Sequence, residues 1–177
     1  CQCIRCMQIS DEVATKENTE LQVFTYNASD GIEKFICYLM KDTKKLVGFV
    51  RLRLDKFSGY DLKGNVVFED HHDSAMIREL HVYGQVVRVS NKKKDVSQHK
   101  GFGTALMHAA MKIARDNGYK KMSVIAGDGV VGYYEKFDFK HGEYFLVTNL
   151  VEYINKCNRD MMIKTIRNKV YKLRYMI

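Results

Sequence analysis

The chain contains no proline, although Lys, Asn, Ile and Tyr are plentiful, a bias that fits an AT-rich genome and bears on no mechanism. No stretch approaches the roughly eighteen apolar residues of a membrane-spanning helix, so no membrane association is expected. No signal-peptide pattern precedes Cys1, and an initiating Met is also missing, which suggests a piece of a longer product. Long charge-only runs, internal repeats and low-complexity segments are absent. With 46% apolar residues over 177 positions, a folded globular domain is expected. The five cysteines are odd in number, and three fall within the first six positions. That pattern argues against a disulfide framework and for a reducing compartment, the cytoplasm or the nucleus.

What is there starts with charge: 29 basic against 21 acidic side chains, a formal +8. Such an excess suits a polyanionic partner, because phosphate neutralisation releases counterions; it equally suits a merely soluble basic protein.

The most informative stretch is Gln98-His99-Lys100-Gly101-Phe102-Gly103, which runs directly into the helical pattern Thr104-Ala105-Leu106-Met107. A Gln-x-x-Gly-x-Gly turn opening a helix collects unpaired backbone N–H groups at the positive end of the helix dipole, where a pyrophosphate binds. The glycines let the backbone close on an anion with no side chain in the way. Upstream lies Ala75-Met76-Ile77-Arg78-Glu79-Leu80-His81-Val82-Tyr83-Gly84, and downstream Tyr133-Tyr134-Glu135-Lys136-Phe137. Strand, glycine turn, helix, strand and an aromatic short helix follow one another as in the GNAT acetyltransferases, whose glycine turn grips coenzyme A. The wording of residues 76–84, 98–104 and the tyrosine pair resembles more narrowly the acetyltransferase-like domain of the Elongator catalytic subunit family. Cys1-Gln2-Cys3-Ile4-Arg5-Cys6 resembles the cysteine motif that joins this domain to a radical-SAM domain in that family.

The remaining pattern predicts strands over 21–27, 32–40 and 46–54, with a turn at Asp30-Gly31 and a hairpin turn over 41–45. A loop over 59–64 precedes a short strand over 66–68, a buried strand over 75–83 and a further strand over 85–89. The polar, basic stretch 91–100, with Lys92, Lys93 and Lys94, reads as a surface loop. Apolar residues at Leu106, Ala109, Ala110, Ile113 and Ala114 form a helical stripe closed by Gly118. A strand over 122–126, a short helix over 131–137 and a closing strand over 139–147 complete an α/β sandwich, a mixed central sheet flanked by helices, which is the GNAT fold. Three regions are expected: a cysteine-rich linker over 1–20, the acetyltransferase domain over 21–147, and a basic helical extension over 148–177. That extension departs from the family; it has helical spacing over 149–154 and 161–177, and carries Lys164, Arg167, Lys169, Lys172 and Arg174. A docked surface helix is the favoured reading.

The resemblance implies acetyl-CoA as cofactor, its pantetheine arm alongside the strand at Leu80, His81 and Val82. Its pyrophosphate would sit over Gln98, His99, Lys100, Gly101, Phe102, Gly103 and Thr104. Tyr134 is the expected proton donor to the departing thiolate, with Tyr133 as its alternate or as a wall of the acetyl pocket; Glu79 is the nearest acidic candidate for a base. Cys1, Cys3 and Cys6 have the spacing of a metal knuckle, and three thiolates with a fourth ligand would hold Zn²⁺. Gly127-Asp128-Gly129-Val130-Val131-Gly132 departs from the polar loop of the family, and Arg88 stands where the family often has proline. The resulting expectation is an acetyl-CoA-cleaving domain serving tRNA wobble-uridine modification, with tRNA and a radical-SAM domain as partners. A free-standing protein lysine acetyltransferase, and a non-catalytic acetyl-CoA- or RNA-binding module, stay open.

Overall fold

The computed structural model describes residues 1, 3–10, 12–83 and 101–174, with 163–174 as backbone alone. Among these residues seven strands form one sheet, in the order β1-β2-β3-β4-β5-β7-β6. β1 (Thr19–Ala28), β2 (Gly31–Met40), β3 (Leu46–Leu54) and β4 (Ser74–Val82) make an antiparallel meander. The first hairpin turns at Ser29 and Asp30, both at positive φ, which is the two-residue turn whose twist matches its strands. Gly31, expected in the turn, opens β2 instead. A Cβ there would lie 2.6 Å from the Arg53 guanidinium, which reaches past it to the carbonyls of Ala28 and Ser29.

β4 leads into α2 (Phe102–Asp116), and the chain returns as β5 (Lys121–Val124), which pairs with β4 in parallel. The stripe on α2 buries Leu106, Met107, Ala110, Met111 and Ala114 against Ile36, Val50, Leu52, Ala75, Ile77 and Met122. Gly118 ends the helix at φ +91, a conformation glycine adopts without a Cβ penalty. On the opposite sheet face, Cys37, Leu46 and Phe49 form a smaller cluster that receives Met7 from the single-turn α1 (Ile4–Met7).

Several expected elements take another form. Residues 66–68 contribute a single bridge between Val66 and Tyr60, because the Gly59 carbonyl accepts from the N–H groups of both Val67 and Phe68. Strand β4 is buried only over its first half. The closing strand is split into β6 (Lys140–His141) and β7 (Leu146–Asn149). Asp70 causes that split: its Oδ2 accepts from the backbone N–H groups of Tyr144 (2.7 Å) and Phe145 (2.9 Å), and it fills the space a Cβ on Gly142 would need. The short helix is α3 (Val131–Tyr134) continued by a 3₁₀ turn, Glu135–Phe137. The two helical stretches of the extension join into one helix, α4 (Leu150–Arg174), since nothing between them breaks a helix. Asn149 caps it, its Oδ1 accepting from Val151 and Glu152. The expected strand over 85–89, Arg88 and the lysine loop over 91–100 lie outside the described residues. So do the side chains of the basic residues from Lys164 onward.

Candidate active site

The site is built where β4 leaves β5. Their pairing stops at Ile77 with Val124; beyond it, among the described residues, the strand is bonded to β3 alone. The backbone from Arg78 to Val82 therefore presents unpaired groups on its β5 side, an edge on which an extended ligand can pair. A register shift against β3 leaves Arg78 as an extra residue between Ile77 and Glu79. The bulge turns Leu80 and Val82 toward α2, while Glu79 and His81 face the other side.

The mouth of α2 closes one end of this split. Gly101 sits at φ +130, and the first intrahelical donor is Ala105, whose N–H bonds to the Gly101 carbonyl at 2.8 Å. The N–H groups of Phe102, Gly103 and Thr104 are therefore free of helical partners, and among the described residues no side chain caps them. Together Leu80, Val82, Gly101, Gly103, Thr104, Val130, Tyr133 and Tyr134 line a cleft of about 430 Å³. Gly103 is tightly constrained: a Cβ would lie 2.7 Å from the Tyr133 hydroxyl.

The two tyrosines meet edge to face at 5.5 Å. The Tyr133 hydroxyl is buried and makes no hydrogen bond of acceptable geometry among the described residues. Burial pushes it up to about 12; the adjacent Tyr134 adds to this, and the nearby Thr104 hydroxyl offsets it slightly. Burial also raises Tyr134, which packs against Phe139. Both phenols consequently hold their protons at neutral pH and are available as donors.

The structure gathers some of the expected site residues and disperses others. Leu80, Val82, Gly101, Gly103, Thr104 and both tyrosines converge on the cleft. Phe102 contributes only its backbone, because its ring is buried at 5% exposure and meets Tyr38 edge-on at 4.9 Å, anchoring the start of α2. His81 stacks on Phe49 and meets Tyr83 at a tilt on the far sheet face. Glu79 is exposed on that same face and pairs with Arg51 at 3.7 Å. It does not pair with Arg78, which instead donates to Glu33 at 2.8 Å. Gln98, His99 and Lys100 lie outside the described residues. Cys1, Cys3 and Cys6 are exposed, with sulfur atoms within 4.8 Å of one another. The Cys6 backbone N–H, with the Cys6 thiol, lowers Cys3, and the same contact raises Cys6. Sequence reasoning missed Val130 as a wall of the cleft; only the fold of the 128–134 segment swings it there.

The profile of the Acetyltransferase (GNAT) family matches residues 4–139. The chain belongs to the GNAT acetyltransferase family. This GNAT domain is an acyltransferase by family, and the family uses acetyl-CoA. It is 39% identical over 128 residues to Elongator complex protein 3 of Danio rerio, and 38% identical over 125 residues to that of Homo sapiens. Those alignments cover 71% and 68% of this chain but only 22% and 21% of the relatives, so the chain spans about a fifth of their length. Among solved structures it resembles archaeal Methanocaldococcus infernus Elp3 with an N-terminal deletion. There the TM-score is 0.66 at 28% identity, over 84% of this chain and 35% of that one. Among the described residues no helix is long and apolar enough to cross a membrane.

Proposed function

We propose that this GNAT domain binds acetyl-CoA in the cleft between β4 and α2 and cleaves it in the service of tRNA wobble-uridine modification, as the likeness to Elongator complex protein 3 implies. The observation that carries the cofactor assignment is the buried Tyr133 hydroxyl beside Gly103, without a hydrogen-bond partner of acceptable geometry among the described residues, at a helix mouth whose first N–H groups have no partner among those residues. An orphaned buried donor is costly unless a ligand satisfies it, and a Cβ at 103 would close the same space. The unpaired β4 edge suits the amide groups of a pantetheine arm, and Leu80, Val82 and Val130 suit its methylenes. When bound, acetyl-CoA supplies an activated acyl group on sulfur. Within the chain, the free N–H groups of residues 102–104 hold the phosphates, Leu80 and Val82 exclude water, and the Tyr134 hydroxyl donates a proton at the sulfur. Glu79, paired with Arg51 on the far face, is poorly placed to serve as the base.

The three N-terminal thiols suit Zn²⁺, whose thiolate bonds of about 2.3 Å need only a small contraction of the cluster. By the same likeness, the uridine chemistry itself falls to a radical-SAM domain.

The deciding experiment is acetyl-CoA hydrolysis by the purified chain, with and without tRNA, for wild type and Tyr134→Phe. We expect turnover that rises with tRNA and falls about 100-fold in the variant, the usual scale of a lost general acid. Turnover indifferent to tRNA would instead identify a protein acetyltransferase. Cofactor binding with no turnover would mark a module without chemistry.

A further inference from the structure

A second cavity, about 300 Å³, lies on the other side of β4 from the cleft, between Met76, Arg78 and the 55–73 segment. That volume is at the lower end for small-ligand pockets, roughly 300–1,000 Å³. Most polar groups around it are already committed. Arg53 donates to Asp55 and to the carbonyls of Ala28 and Ser29, and the second Asp55 oxygen accepts from the Phe57 N–H. The buried Ser58 hydroxyl donates to the Ser74 carbonyl and accepts from the Ser74 N–H.

Two donors remain. Arg78 spends one nitrogen on Glu33, and among the described residues its other guanidinium nitrogens have no partner. His71 is clamped by stacking on Phe145 at 4.5 Å and by a 2.8 Å hydrogen bond between Nδ1 and the buried Ser123 hydroxyl; in the tautomer where that hydroxyl donates to Nδ1, the proton sits on Nε2, which is uncommitted among the described residues. Behind Arg78, Glu33 is fully buried, with Arg51 at 3.7 Å and Arg53 at 3.9 Å. Three arginines thus stand against three carboxylates, Glu33, Glu79 and Asp55. With charges balanced, the pocket holds no excess for a polyanion. It offers directed donors on a pre-set planar fork, which match a carboxylate.

We infer that this pocket binds the carboxylate end of a small monoanionic ligand through Arg78 and the His71 Nε2, with Met76 beneath the ligand's apolar part. It is a site distinct from the acetyl-CoA cleft. The test is NMR titration of the full chain with propionate, and separately with inorganic phosphate, at constant ionic strength, following the His71 ring resonances. Propionate is expected to give a saturable shift at millimolar concentration. Arg78→Lys, which keeps the charge facing Glu33 but loses the fork, weakens it at least tenfold. Met76→Phe, which fills the cavity from its floor, weakens it comparably and decides the matter should the lysine variant not fold. No saturable shift with propionate, or a shift unchanged in both variants, overturns the assignment. Tighter binding of phosphate overturns the carboxylate class.

Discussion

Gly103 has room for a hydrogen and little else. A methyl group there would meet the Tyr133 hydroxyl at 2.7 Å and force the ring from its position. Gly103→Ala is therefore expected to weaken acetyl-CoA binding about tenfold, or ~1.4 kcal/mol, by calorimetric titration. Its melting temperature should fall modestly, because the displaced ring loses packing against Tyr134 and Phe137. Binding left intact would remove Tyr133 from the cofactor site. His71 supplies a second residue-scale prediction. Burial holds it below its ordinary value of 6.5. As pH falls from that value, the unfolded chain takes up a proton that the folded chain resists, so stability declines. His108, whose ring is partly desolvated against Phe137 and Tyr153, is also lowered and acts with the same sign. Urea unfolding between about pH 7 and about pH 5.5 should show this loss, and His71→Gln should flatten it. An unchanged pH slope in that variant would assign the loss to His108 or to other groups.

At the scale of elements, α4 owes its start to Asn149 and its seat to Leu150 and Tyr153. Both side chains are buried, and the Tyr153 hydroxyl lies 2.9 Å from His108 on α2. Asn149→Ala removes the acceptor for two N–H groups and should cost about 1 kcal/mol in chemical denaturation. A loss below about 0.3 kcal/mol would mean that packing alone starts the helix. The strands and α2 were legible in the sequence because alternation and the 3.6-residue stripe are local signals, and Gly118 marks the helix end. The split of the closing strand was not, because its cause, Asp70, lies more than seventy residues upstream. The short strand expected over 66–68 failed for a related reason: Gly59 takes up the backbone donors that a neighbouring strand would have used.

For the whole molecule, the remaining expectation concerns the metal. Chain purified under reducing conditions should carry about one zinc by elemental analysis, and Cys3→Ser should lose it. Zinc-free protein with full acetyl-CoA binding would leave the thiols without that role. The order of elements was sufficient by itself for an α/β sandwich around the glycine turn, because a helix mouth and a buried strand follow from short-range chemistry; that this sandwich has the GNAT fold was implied by the resemblance carried by the glycine turn, the β4 wording and the tyrosine pair. Only the tertiary structure decided how the strand faces divide. The bulge at Arg78 turns Leu80 and Val82 into the cleft, sends Glu79 and His81 to the far side, and brings Arg78 to a carboxylate forty-five residues away. A one-residue shift in a period-two element exchanges its faces, and the partner strand that imposes such a shift is distant in sequence.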